Sequence, residues 1–105
     1  MQAKLNRTIF SQTLNLPESD EVQIPAITVG TGIETGEQSV GWSTCDGAVG
    51  YELEEQNSGT WQLIYVGTAT GYGLGTLPLG IERTFRVRAV YGQVVSLWSN
   101  SVSAP

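Results

Sequence analysis

Residues 84–100 read TFRVRAVYGQVVSLWSN and carry the clearest strand pattern of the chain. Its first half alternates apolar residues with Arg86 and Arg88, so a β-strand here would have one apolar face and one cationic face. The Gly-Gln pair at 92–93 is a turn signal, after which an apolar run continues over 94–102. The stretch therefore predicts two antiparallel strands joined by a tight turn.

The rest of the chain follows the same two-residue period, and no segment shows a convincing helical repeat. The predicted strands are 22–29, 38–43, 50–56, 61–66, 68–75, 82–91 and 94–102. Seven short strands at this spacing are typical of an all-β fold in which two antiparallel sheets pack face to face. We therefore expect a seven-stranded, two-sheet sandwich.

Composition sets the broad class of protein. The chain has 105 residues, of which 40% are hydrophobic and only 14% charged, and this suits a single turn-rich domain with an adequate core. Its net charge of −5 repels phosphate, so we expect neither nucleic acid nor an anionic membrane as a partner. No apolar run is long enough for a signal peptide or a membrane-spanning helix.

From residue 22 onward the order of aromatic and apolar residues resembles a fibronectin type III domain. The matching residues are Trp42, Tyr51, Leu53, Leu77, Gly80, the run FRVRA at 85–89, Ser96, Trp98 and Ser99. The resemblance covers about four-fifths of the chain and implies an immunoglobulin-like sandwich over 22–105, preceded by an N-terminal arm or extra edge strand over 1–21. The sequence departs from the family at Arg83, which occupies the position where the family usually has a tyrosine whose hydroxyl holds a loop in place.

Period-two alternation and the resemblance together predict the core. Its members are Val40, Trp42, Tyr51, Leu53, Leu77, Phe85, Val87 and Ala89.

The arginines have two interpretations. In the type III fold the third and sixth strands are neighbours, so the resemblance places Glu52 and Glu54 opposite Arg86 and Arg88 on the outer surface of a sheet. Trp98, on the last strand, could then lie over an arginine. The first interpretation is a structural ladder of ion pairs, and the second is a binding patch for a ligand or partner.

The arm also has two interpretations. Phe10, Leu14 and Leu16 share one parity in TIFSQTLNL, the sequence of residues 8–16. The arm is either a loose leader or extra edge strand of this domain, or a strand that adds to a neighbouring subunit.

Catalysis is not expected. The chain has no histidine to activate a serine or Cys45 as nucleophile. The carboxylates of Glu52 and Glu54 are expected on an open sheet face, where both stay ionised and neither suits acid catalysis. The glycine-rich run 67–75 matches no phosphate-binding motif, and the acidic run 17–21 lacks the spacing of a calcium loop. We expect no cofactor and no metal.

Two function classes remain, both structural or recognitional. The first, which we favour, is a small phage virion protein, such as a capsid decoration or tail-accessory protein, with neighbouring virion subunits as partners and self-association through the arm. The second is a spacer or a carbohydrate- or protein-binding module of a larger secreted or cell-surface bacterial protein, such as an adhesin. The candidate interaction surface comprises Phe10, Leu14, Leu16, Trp61, Tyr65, Arg86, Arg88 and Trp98.

Overall fold

The computed structural model describes residues 16–31, 37–76 and 82–104. The predicted core residue Leu77 and the arm residues Phe10 and Leu14 lie outside these ranges. The described residues form nine strands: β1 (Glu18–Ser19), β2 (Ile27–Thr31), β3 (Glu37–Trp42), β4 (Gly50–Asn57), β5 (Thr60–Gly67), β6 (Gly71–Thr76), β7 (Arg83–Val90), β8 (Val95–Ser96) and β9 (Val102–Ala104).

The strands build two sheets that form a sandwich. The larger sheet has the order β1-β8-β7-β4-β5, with β9 also paired to β7, and the smaller sheet has the order β2-β3-β6. All neighbours are antiparallel except β1 and β8, which run parallel. The predicted all-β, two-sheet architecture is confirmed. The expectation that all strands pair antiparallel is wrong for one short pair, β1 and β8.

The strand count differs from the predicted seven because a short strand, β1, precedes the predicted first strand within the segment 1–21, and because the predicted last strand is divided. The predicted strand 22–29 begins only at Ile27, since Pro25 is fully buried at the point where the chain leaves β1 in one sheet for β2 in the other. Proline cannot donate to a ladder, so it suits this crossing.

The predicted strand 94–102 is divided into β8 and β9 because serine hydroxyls replace backbone carbonyls as partners of β7. The backbone N–H of Ala89 donates to Ser96 Oγ at 2.9 Å, and that of Val87 donates to Ser99 Oγ at 3.0 Å. The backbone N–H of Ser99 donates in return to the Val87 carbonyl at 2.8 Å. The segment thus stays on the sheet without a regular ladder.

The core lies between the two sheets. Seven of the predicted core residues have at most 6% of their surface exposed: Val40, Trp42, Tyr51, Leu53, Phe85, Val87 and Ala89. The Trp42 ring packs against the rings of Tyr51 and Tyr65, with centroids 6.1 Å apart in both pairs. The Tyr51 hydroxyl accepts the backbone N–H of Cys45 at 2.9 Å, which ties the loop after β3 to this cluster.

Candidate functional site

The outer face of the larger sheet carries two directly opposed acid–base pairs. Register places Glu52 opposite Arg88 and Glu54 opposite Arg86 on β4 and β7. Arg88 Nε donates to Glu52 Oε1 at 2.7 Å, while Nε and Nη2 of Arg86 donate to Glu54 Oε1 at 2.9 and 2.7 Å. The cross-strand pairing expected from the resemblance is therefore confirmed.

Two tryptophans stack on these arginines and turn the pairs into a ladder. The Arg86 guanidinium lies 4.2 Å from the ring centroids of both Trp61 and Trp98, and the Arg88 guanidinium lies 4.3 Å from Trp98. Cation–π contacts of this kind contribute roughly 0.5–2 kcal/mol each. We call Trp61, Arg86, Trp98 and Arg88 the Trp–Arg ladder. The predicted contact of Trp98 with an arginine is confirmed.

Two serines hold Trp98 in place on this face. Ser96 Oγ and Ser99 Oγ, which flank the tryptophan in sequence, both accept backbone N–H groups of β7. Ser96 is fully buried, so its hydroxyl satisfies an amide that would otherwise have no partner. The short motif Ser-x-Trp-Ser thus fixes the indole by hydrogen bonds on both sides of it.

The buried position of Glu52 contradicts the expectation that this sheet face is open and that its carboxylates stay ionised. Only 1% of its surface is exposed, and burial raises the pKa of its carboxyl despite the Arg88 hydrogen bond. Its Oε2 atom has no hydrogen-bond partner among the described residues. The alternation correctly assigned Glu52 to the outer face but could not show that Arg88 and its stacked indole bury that part of the face.

A bulge in β5 separates two aromatic residues that were grouped in one candidate surface. Glu54 pairs with Leu63 and Leu53 pairs with Tyr65, so Ile64 is an extra residue that reverses the parity of the strand. Trp61 consequently lies on the outer face beside Arg86, whereas Tyr65 packs inward. No feature of the sequence marks this bulge.

Tyr65 is part of the inner aromatic cluster. Its ring lies 6.1 Å from that of Trp42 and 5.7 Å from that of Tyr72, and its hydroxyl accepts the Ala69 N–H at 3.0 Å.

Arg88, another residue of the candidate surface, offers little free surface, because only 9% of its side chain is exposed. Leu16 is half-buried just before β1. The structure therefore brings together Trp61, Arg86, Arg88 and Trp98 and leaves Tyr65 apart from them.

Arg83 forms a third ion pair, which the sequence reading did not foresee. Its Nε and Nη2 atoms donate to the two carboxylate oxygens of Glu55 at 2.6 and 2.8 Å. These hydrogen bonds raise the pKa of the Arg83 guanidinium. The sequence feature that could have indicated this pair is the arginine at a position where the family usually has tyrosine. In this domain the guanidinium binds Glu55 on the neighbouring strand β4 through two parallel hydrogen bonds.

A cleft of about 340 Å³ lies beside Trp98. It is lined by Ile24, Pro25, Ala26, Ile27, Trp98, Ser99 and Asn100. None of these side chains is an acid, a base or a thiol, and the Ser99 hydroxyl is already engaged, since it accepts the Val87 N–H and donates to the Asn100 carbonyl.

Within residues 16–31, 37–76 and 82–104, no three His, Cys, Asp or Glu side chains gather as metal ligands would. The same part of the chain contains no helix that is long and apolar enough to cross a membrane.

Comparison with known proteins identifies the fold. No family model and no curated protein matches the chain. Among solved structures, a Fn3-like protein from Clostridium thermocellum is 19% identical, with 81% of this chain and 92% of that chain covered and a TM-score of 0.64. The sixth domain of human fibronectin type III domain containing protein 3 is 20% identical, with coverage of 79% and 80% and a TM-score of 0.59.

A further similarity is to pectate lyase PelI from Erwinia chrysanthemi, which is 22% identical over 79% of this chain but only 28% of the lyase, with a TM-score of 0.57. The two packed sheets define an all-β sandwich. More specifically, the chain has the fibronectin type III fold.

Proposed function

We propose that this domain is a structural and interaction module of a phage virion, either a capsid decoration or a tail-accessory protein, attached through its N-terminal arm and its sandwich surface. The observation that supports a binding role is the Trp–Arg ladder. Arg86 holds Trp61 and Trp98 at 4.2 Å each, so these large side chains are ordered before a partner arrives. Preorganised aromatic residues are favourable contact sites because little rotamer entropy remains to be lost.

The position of β1 supports attachment through the arm. β1 pairs with β8 at one edge of the larger sheet, and Leu16 lies just before β1, so the described part of the chain starts beside an edge. The apolar alternation of Phe10, Leu14 and Leu16 suits a strand that adds to the sheet of a neighbouring subunit. A virion presents such neighbours in many copies.

A second candidate is a spacer or a carbohydrate- or protein-binding module of a larger secreted or cell-surface bacterial protein. The similarity to pectate lyase PelI favours it, because the matching part is only 28% of that enzyme's chain. In this case Trp61 and Trp98 would offer aromatic surface to a sugar ring or protein.

Light scattering on a sizing column tests attachment through the arm in the full-length chain. A Phe10→Asp/Leu14→Asp variant places charges on the apolar parity, and a matched Ser11→Asp/Thr13→Asp variant adds the same charge on the opposite parity. We expect the unmodified chain and the control to form the same oligomers and the Phe10/Leu14 variant to form smaller ones, because it lacks the association that depends on the arm.

Two results would overturn the arm proposal. In one, the Phe10/Leu14 variant associates as well as the unmodified chain. In the other, all three proteins are monomeric at high micromolar concentration. Titration of the unmodified chain and a Trp61→Ala variant with polygalacturonate then tests the carbohydrate-binding form of the second candidate, which requires binding that the substitution weakens.

A further inference from the structure

β5 forms an open edge of the larger sheet, and we propose that it pairs antiparallel with β5 of a second copy of this chain, so that one continuous sheet crosses the dimer. Among the described residues β5 pairs only with β4. This inference goes beyond the proposed function because the contact does not involve the N-terminal arm.

β5 lacks the features that protect edge strands from pairing. Exposed edges are normally blocked by charged side chains, by proline or by short length. β5 is eight residues long, and its sequence TWQLIYVG contains neither a charged residue nor a proline. By contrast, β1 has two residues and includes Glu18, while β6 has glycine at every second position from Gly71 to Gly75.

The direction of the backbone groups of β5 follows from the turn before it. Ser58 and Gly59 have φ values of 55° and 83° and join β4 to β5 as a two-residue turn, which closes with a hydrogen-bonded pair between Asn57 and Thr60. Hydrogen-bonded pairs alternate along an antiparallel ladder. Gln62 therefore bonds to β4, while Trp61 and Leu63 direct their N–H and C=O groups away from the sheet.

This parity defines one self-complementary register. If Gln62 of each copy lies on the two-fold axis, Trp61 of one copy stands opposite Leu63 of the other in a hydrogen-bonded pair, and the converse pair is its symmetry mate. These two pairs make four backbone hydrogen bonds. Trp61 and Leu63 also share the outer face, so each pair adds an aromatic–aliphatic contact. Ile64 forms the bulge, so regular pairing ends beside it.

Electrostatics favours a second copy at this edge despite the net charge of −5. The carboxylates opposite Gln62 and Leu63 of β5 belong to Glu55 and Glu54, and each is neutralised by an arginine at 2.6–2.7 Å. Asp20 and Glu21, which also carry carboxylates, come directly after β1, and β1 lies at the other end of the larger sheet from β5. Two copies can thus meet at β5 with little like-charge repulsion.

The side chains at the edge are ready for such a contact. Leu63 is 41% exposed, which is unusual for a large apolar residue of this domain. Trp61 is already held by Arg86 at 4.2 Å, so its ordering adds little to the cost of association.

Register-specific cross-linking tests the dimer in the full-length protein. In a Gln62→Cys variant the two new cysteines would face each other in a non-hydrogen-bonded pair, with Cα atoms about 4.5 Å apart, which a disulfide can span. In the matched Thr60→Cys variant the two cysteines would be about 14 Å apart and could not join. The native Cys45 is only 2% exposed and does not compete.

We expect mild oxidation to convert most of the Gln62→Cys protein to a covalent dimer, at least tenfold more than for Thr60→Cys. Equal cross-linking of the two variants, or none in either, would overturn the proposal.

A second measurement uses substitutions that leave the core untouched. Leu63→Lys adds an edge charge and should weaken dimerisation in light scattering or sedimentation at least tenfold. Val49→Lys, which changes a loop residue of similar exposure, 44%, should not. Dimerisation that is insensitive to Leu63→Lys would refute this edge. Combining Leu63→Lys with the Phe10/Leu14 variant separates the two contacts, because failure of one proposal leaves the other contact measurable.

Discussion

Glu52 and Arg88 lie directly opposite each other on β4 and β7, and their 2.7 Å hydrogen bond is buried on what is formally the outer face of a sheet. The exposed fractions of their side chains are 1% and 9%. Glu18 of β1 lies 3.7 Å from Arg88 Nη1, so the same guanidinium also contacts the first strand. A buried ion pair contributes little net stability, because removing both ions from water costs about as much as their attraction returns. Removing only one of the two ions is costly, because the other is left as an unpaired buried charge.

Arg88→Met should therefore destabilise the domain by about 3–5 kcal/mol, because it leaves a buried carboxylate without its cation. The Glu52→Leu/Arg88→Met double variant removes both charges and should lose much less, which gives a large coupling free energy in a double-mutant cycle. Urea unfolding followed by tryptophan fluorescence measures the four proteins of the cycle: the wild type, Glu52→Leu, Arg88→Met and the double variant. Arg83→Met is the control, since its pair with Glu55 is 28% and 20% exposed and should cost only about 1 kcal/mol. Similar losses for Arg88→Met and Arg83→Met would contradict the prediction.

Ionisation of Glu52 should make the stability of the domain fall as pH rises. Burial raises the folded-state pKa of this carboxyl above its ordinary value of 4.5, with the nearby Glu54 charge adding to the shift and Arg88 opposing it. The folded protein thus holds this proton more tightly than the unfolded chain does. The stabilisation is complete below pH 4.5 and is lost as pH rises through the folded-state pKa.

A Glu52→Gln variant isolates this contribution, since the other carboxylates titrate in both proteins. The difference in free energy of unfolding, wild type minus variant, should decrease as pH rises above 4.5 and remain constant once pH exceeds the folded-state pKa of Glu52. Thermal or urea unfolding across this range provides the measurement, with Glu21→Gln, an exposed change, as control. A difference that increases with pH would show that the Arg88 attraction outweighs burial.

The sequence was informative wherever a residue's role follows from local alternation. Phe85, Val87 and Ala89 alternate with Arg86 and Arg88, and this alone separated the core from the ladder. The fold resemblance then supplied the neighbour of that strand, which located the opposing glutamates. Both inferences need only the period of a strand and the order of strands in a sheet.

Alternation within one strand could not predict features that depend on more than one strand. The Ile64 bulge reverses the parity of β5, so Trp61 and Tyr65 lie on opposite faces although they stand four residues apart. The burial of Glu52 depends on side chains from β7 and the segment after β8, which meet only in the folded sheet. Neither feature leaves a pattern in a single strand.

Gly67 should not tolerate alanine, because the Tyr65 side chain occupies the space beside it. A Cβ atom at Gly67 would lie only 2.8 Å from Cζ of the Tyr65 ring, whose hydroxyl accepts the Ala69 N–H at 3.0 Å. The ring is also packed against Trp42, so it cannot move without disturbing the core. Gly67→Ala should cost about 1–3 kcal/mol by overpacking.

Three variants distinguish this cause from a general effect of glycine substitution, using thermal unfolding. Gly73→Ala, on the edge strand β6 with nothing within 4 Å of the new Cβ, should leave stability within about 0.5 kcal/mol of wild type. Tyr65→Phe should cost about 1 kcal/mol for the lost hydrogen bond. Because phenylalanine lacks the hydroxyl that lies closest to the new Cβ, the Tyr65→Phe/Gly67→Ala double variant should lose less than the sum of the single losses. Strict additivity would show that Gly67 is required for its backbone freedom rather than for the space taken by Tyr65.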